Sequence, residues 1–163
     1  MKAILITTSA LAIAGCTHLG SYEGSDAALI PVPCDRGLIT AENGKQYQRV
    51  LQIILVDGTF IGSGRQCTAN YVYRIRPGQR DLKVMANYVD SPAGVQRVAM
   101  INMTVTLSER GRYTLESGYD GKTAKVTFRD SGTGAVTADA STSEVKAQSL
   151  GNGAISALPF IVK

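Results

Sequence analysis

The chain has no tryptophan, a single histidine, only three cysteines and 6% aromatic residues in a length of 163. Each shortage removes chemistry. With His18 as the sole imidazole, a Ser-His-Asp or Cys-His centre has just one candidate base. A zinc or iron site built on several histidines is excluded. No apolar run reaches the roughly 18 residues a membrane-spanning helix needs. Charge of either sign is sparse, with 17 Lys and Arg against 13 Asp and Glu, a net charge of +4. The basic residues are scattered and form no polybasic arm, so no nucleic-acid partner is expected.

What is present starts with Lys2 and a mostly apolar run from Ala3 to Ala14, closing in Ile13-Ala14-Gly15-Cys16. A basic residue before a short apolar run reads as a secretory signal rather than a transmembrane helix. The small residues ahead of Cys16 resemble the lipobox of bacterial lipoproteins. That resemblance implies removal of residues 1–15, a diacylglyceryl group on the Cys16 sulfur and an acyl chain on its new amino group. Three chains exceed the two that give stable anchoring. In enterobacterial lipoproteins an Asp after the cysteine favours the inner membrane. Thr17 therefore implies lipid attachment to the outer membrane, facing the periplasm.

The stretch from Cys16 to Ala27 contains Gly20, Ser21, Gly24 and Ser25 and reads as a mobile tether. Residues 28–163 are then expected to form a single domain. Within it lie Cys34 and Cys67. In an exported protein such a pair reads as a disulfide, whose closed loop is worth about 3–4 kcal/mol. Two free thiols and a metal pair are the alternatives. Exported free thiols are hazardous, and a metal would want further ligands, so no metal site is expected.

The pattern from Gln48 onward is that of strands. Val50 to Val56 is nearly continuous apolar sequence, as in a strand covered on both faces. Asp57-Gly58 is a hairpin signal, followed by a short return strand from Thr59 to Gly62. Tyr71, Tyr73 and Ile75 alternate with Asn70, Val72, Arg74 and Arg76, and after the Pro77-Gly78 turn Leu82, Val84, Ala86 and Tyr88 alternate with Asp81, Lys83, Met85 and Asn87. Ala99, Ile101, Met103, Val105 and Leu107 form the longest period-2 stripe. Tyr113, Leu115 and Tyr119 follow, then the Asp120-Gly121 turn, then Ala124, Val126 and Phe128. Cys34 to Gln46 reads as loop, Ala28 to Pro33 as an edge strand, Thr142 to Leu150 as two helical turns, and Ala154 to Val162 as a final edge strand. The fold expected is all-β: an antiparallel β-sandwich of about seven to eight strands, with one disulfide and little helix.

Val56-Asp57-Gly58-Thr59-Phe60-Ile61-Gly62, the run Tyr73 to Val84 with its Pro77-Gly78, and Gly111-Arg112-Tyr113 together resemble the PEGA-type and DUF2846-like modules of bacterial surface proteins. The match covers roughly Val56 to Tyr119. It implies a small β-sandwich of the kind carried on lipoproteins.

Several motifs bear on chemistry. Asp130-Ser131-Gly132-Thr133 has the form of an aspartic-protease signature, in which paired carboxylates activate water. Arg129 stands where an apolar residue belongs and no second copy of the motif exists, so a Gly-rich hairpin turn is the stronger reading. Ser143-Glu144-Val145-Lys146 fits S-x-x-K, but neither of its partner motifs occurs. No catalytic residue is therefore assigned, and the chain is not expected to be an enzyme. Arg74, Arg76 and Arg80 should gather near one turn, where they suit an anionic ligand: lipopolysaccharide phosphate, teichoic acid or an acidic partner. A solvated sheet face is the plainer alternative. Tyr71, Tyr73, Tyr88, Tyr113 and Tyr119 suit a sugar-stacking surface less well than a core, being in phase with the apolar stripes.

The function expected is a non-catalytic binding or scaffold module of the cell envelope. Its partners would be the membrane, through the lipid, and an envelope protein or cell-wall polymer, docked at Asp90 to Gly94 or Ala154 to Val162. An inhibitor of a lysozyme-type enzyme is the alternative, and a hydrolase using Asp130 a weaker one. No cofactor is expected besides the covalent lipid on Cys16.

Overall fold

The alternating stripes form a long antiparallel ribbon. In the computed structural model, which describes residues 21–31, 38–40, 44–61, 72–90 and 95–149, β6 (Gly78–Asp90) pairs with β7 (Val95–Leu107) from end to end without a register shift. Val84 stands opposite Ile101, and Ala86 opposite Ala99, so both stripes fall on one face. All four side chains there are buried.

On the other side of β6 lies β3 (Gln46–Val56). Its register shifts between Ile53 and Leu55, a bulge that adds Ile54 as an extra residue. The carbonyl of Ile54 instead accepts the N–H of Ile61. The bulge reverses the inward parity of the strand. Leu51 and Ile53 face the main core before it and Val56 packs against that core after it, whereas Ile54 and Leu55 pack with Met85 and Val98 in a separate cluster. The apolar run, interrupted only by the buried Gln52, is thus covered on both faces, as expected. Asp57 and Gly58 both have positive φ (49° and 78°) and turn the chain into β4 (Thr59–Phe60), the hairpin that this dipeptide signals.

The remaining strands are β1 (Ala28–Pro31), β2 (Leu38–Thr40), β5 (Val72–Ile75), β8 (Tyr113–Tyr119), β9 (Ala124–Asp130), β10 (Val136–Thr142) and β11 (Val145–Ser149). One layer is the six-stranded sheet β11-β7-β6-β3-β2, with β4 beside β3. The other comprises β10-β9-β8 and the pair β1-β5. These two pieces meet where Leu29 bridges Arg112 and donates its N–H to the Gly111 carbonyl at 2.8 Å. One continuous core fills the space between the layers, with Ile30 and Ile75 from the β1-β5 pair, Leu115, Val126 and Phe128 from β8 and β9, and the stripes of β6 and β7. Phe128 is fully buried and stacks on Tyr113 at a centroid distance of 5.0 Å. A Cβ on Gly111 would come within 2.7 Å of the Tyr113 ring, so only glycine lets the chain pass there.

The all-β antiparallel sandwich is as expected; three sequence readings are corrected. The helical turns expected over Thr142 to Leu150 are absent: β10 ends at Thr142, the chain turns a corner, and β11 joins the opposite layer by pairing with β7. Ala138 and Ala140 in β10 and Val145 in β11 pack against the core, so a weak period-2 pattern of small residues overrides helix tolerance. The expected loop from Cys34 to Gln46 contains β2, paired to β3 at Leu38–Gln48, and Gln46 already belongs to β3. Residues 22–27, read as tether, are tied to the domain. The Tyr22 N–H donates to the Arg74 carbonyl, the Arg110 N–H to the Asp26 carbonyl, and Ala27 is buried. The short edge strands raise the count to eleven among the described residues. Cys16, Cys34 and Cys67, residues 91–94 of the expected docking stretch Asp90 to Gly94, and the segment Ala154 to Val162 lie outside the described residues.

Phe128→Ala should cost about 3–5 kcal/mol, because it empties the centre of the core. Urea unfolding followed by circular dichroism measures it; a loss under about 1 kcal/mol would contradict the packing described.

Candidate functional site

Arg74, Arg76 and Arg80 do come together. They line one open pocket of about 350 Å³ with Ser21, Tyr22, Asp57 and Thr59. Three local features build it. Strand β5 carries Arg74 on the face opposite Tyr73 and Ile75, both of which are buried. The Pro77-Gly78 turn, with Gly78 at φ 102°, folds β6 back so that Arg80 returns beside Arg76. The Asp57-Gly58 turn then sets a carboxylate at the rim.

The three guanidinium groups are held in different ways. Arg74 is half-buried; its Nε donates to the Tyr22 carbonyl at 3.2 Å and its Nη2 to the Gly24 carbonyl at 3.0 Å. This side chain pins the incoming chain to the sheet. Arg80 donates from Nε to the Arg76 carbonyl (3.0 Å), from Nη2 to the Pro77 carbonyl (2.6 Å) and from Nη1 to Asp57 Oδ2 (3.0 Å). Its fork is therefore fixed in direction. Asp57 is further committed, since its Oδ1 accepts the Asp81 N–H at 2.9 Å. As a partly exposed pair, Arg80–Asp57 adds about 0.2–1 kcal/mol. Arg76 differs from both. It is exposed, lies over the Tyr22 ring at 5.1 Å, and donates no hydrogen bond and forms no ion pair among the described residues.

The pocket thus holds three cations and one carboxylate, and the most exposed cation is the least engaged. Guanidinium groups in fixed orientation suit phosphate or carboxylate oxygens, which they meet with paired N–H donors. A second, larger depression of about 430 Å³ lies over Leu55, Lys83, Met103 and Thr104. There Lys83 and Asp81 offset each other, so it has no charge preference.

The other motifs resolve into structure. Asp130 Oδ1 accepts the N–H groups of Gly132 and Thr133, both at 2.8 Å, and the Thr133 hydroxyl at 3.1 Å. The carboxylate caps a turn between β9 and β10, and the Thr133 N–H, with that of Gly132, holds its carboxyl below the usual carboxylate range. Asp120 does the same for the β8–β9 turn, accepting from Lys122 and Thr123. Ser143 sits at the corner between β10 and β11 and Lys146 on β11, so S-x-x-K has no helix to align it. Among the described residues no group of three His, Cys, Asp or Glu is placed to hold a metal. Tyr73, Tyr88, Tyr113 and Tyr119 are buried; Tyr88 stacks on Tyr119 at 4.7 Å, and burial pushes the Tyr88 phenol above its ordinary range. They are core residues, while Tyr71 lies outside the described residues. Sequence reasoning missed Tyr22 as a pocket residue. The one available signal was an aromatic within an otherwise polar tether.

No protein-family description, curated protein or solved structure matches this chain.

Arg74→Ala should release residues 22–24, since it removes two charge-assisted hydrogen bonds of about 1.5–3 kcal/mol each. Hydrogen exchange at the Tyr22 amide is expected to accelerate at least tenfold while the exchange of β7 stays unchanged; unaltered protection at Tyr22 would mean that Arg74 does not hold it.

The two turn carboxylates also set an acid limit. Their folded values lie below the unfolded ones, so the stability they add is present above the ordinary carboxylate range and lost as pH falls through the folded values. Melting temperature should fall steeply below about pH 4, and Asp130→Asn should flatten that fall. Parallel pH curves for the two proteins would contradict the capping role.

Proposed function

We propose that this protein is a lipid-anchored, non-catalytic docking module of the bacterial cell envelope. Cys16 carries the acyl chains, and the β-sandwich of the described residues is presented close to the outer membrane, on its periplasmic side. The observation that carries the reading is the run Ile13-Ala14-Gly15-Cys16, which lies only five residues ahead of the point where the chain joins the domain at Ser21 and Tyr22. The turn chemistry shared with PEGA-type surface modules supports the same reading. So does the pinning of Asp130 in its own turn, where its Oδ1 is taken up by the Gly132 and Thr133 N–H groups as a structural cap.

The mechanism is positional. Acylation fixes the domain at the bilayer, and a rim of fixed side chains meets a partner without rearranging. Cys34 and Cys67 are assigned to a bracing disulfide within the same exported domain.

Expressed in a bacterium that processes lipoproteins, the wild-type chain should lose residues 1–15, gain the mass of a diacylglyceryl and an acyl group on Cys16, and sediment with outer membranes. Cys16→Ser should appear as a folded soluble protein with no acyl mass. Intact-mass spectrometry of both settles it: a wild-type chain without acyl groups overturns the proposal.

A further inference from the structure

The pocket of Arg74, Arg76 and Arg80 is also the place where the chain meets the domain. Tyr22 forms its wall: the Tyr22 N–H donates to the Arg74 carbonyl, the Tyr22 carbonyl accepts from Arg74, and the Tyr22 ring lies under Arg76. Ser21 lines the same pocket. Five residue steps separate Ser21 from Cys16. Fully extended, they span at most about 18 Å. If Cys16 sits at the membrane surface, the pocket can never be further from the lipid phosphates than that leash and its own depth. A longer tether would have left the domain free to tumble with any face towards the bilayer. Full extension of this one is a little over two screening lengths at about 8 Å each, so a less extended path brings the cationic face within electrostatic reach of the phosphates.

We propose that this pocket binds the phosphate of a membrane-lipid headgroup, and so sets the orientation of the domain on the bilayer. The inference rests on the lipid-anchor reading above and adds to it a second, non-covalent membrane contact. Three observations carry it. Arg76 is exposed and presents an N–H fork with no hydrogen-bond or ion-pair partner among the described residues. Arg80 is fixed by three hydrogen bonds, so its remaining donors point without an ordering cost. Arg74 holds the incoming chain against the pocket, so attachment and phosphate contact lie at one end of the molecule. Asp57 offsets one of the three charges, which leaves an excess that suits a phosphodiester or phosphomonoester. The covalent lipid holds the protein to the membrane; the pocket decides which end faces it.

The test uses the mature chain carrying Cys16→Ser, so that binding does not depend on acylation. Its sedimentation is measured with phosphatidylcholine vesicles, with and without about 30 mol% phosphatidylglycerol. Binding to the mixed vesicles alone is expected, weakened at least tenfold by Arg76→Glu or Arg76→Ala. Lys125→Glu is the control, since Lys125 is exposed on β9 and pairs with Asp139 away from the pocket. It should change binding less than threefold. Circular dichroism confirms that each variant is folded. Equal losses for Arg76→Glu and Lys125→Glu would mean a general charge effect and overturn the proposal, as would full binding by both Arg76 variants. Displacement of the chain from vesicles by low-millimolar inorganic phosphate would assign the pocket to a free anion instead and equally overturn it. An unacylated Cys16 in the native protein would defeat the anchor reading alone, and is read separately by mass.

Discussion

A slip of β7 by one residue along β6 would turn Ile101 and Met103 off the core face and bring Asn102 and Thr104 onto it. The cost of that exchange locks the register of the 13-residue strands β6 and β7, and the other strands take their places from this ribbon. Strand β3 follows its outer edge and needs a bulge at Ile54 to keep both its faces covered. Strand β11 closes the opposite edge. The second layer is packed over the inward stripe, with Phe128 and Tyr113 stacked against it. The turns at Asp120 and Asp130 satisfy backbone donors of their own through the aspartate side chains, whereas Asp57 accepts the Asp81 N–H of β6.

The three arginines illustrate how one residue type serves two purposes. Arg74 spends its donors on main-chain carbonyls of the incoming segment, and Arg80 spends part of its fork on the turns around it. Their charge remains in the pocket while their geometry becomes rigid. Among the described residues Arg76 is held by its position over the Tyr22 ring alone. A pocket with fixed walls and one loosely held cation is suited to an anion that arrives from solvent or from a surface. The structural role and the proposed binding role fall to the same residues because the chain joins the domain where the charges lie.

Much of this arrangement was legible in the residues themselves. The stripes at Leu82 to Tyr88 and Ala99 to Leu107 are readable because apolar side chains mark one face at every second position, while the other face is polar except at Met85 and Met100. Asp57-Gly58 and Asp120-Gly121 announce their turns because few dipeptides adopt positive φ at low cost. The strands β10 and β11 were not legible. Alanine, serine and threonine mark both helix and strand weakly, and only the core opposite Ala138 and Ala140 decided between them. Strand β2, three residues long, has no period to read and exists by pairing with β3. The arginine cluster was visible as a spacing, but Tyr22 and Asp57, which complete it, come from segments 52 and 23 residues away from the arginines they hold.

By itself the sequence determined the class of fold, the positions of the hairpin turns and the inward face of each strong strand. These follow from local backbone preference and from burial of period-2 stripes, which any sufficiently long strand must satisfy. The tertiary structure alone decided the order of strands across the two layers, the corner that carries β10 into β11, and the docking of residues 22–27 onto the sheet. Those depend on contacts between residues distant in the chain, where no local preference acts and only the fit of one surface on another selects the partner.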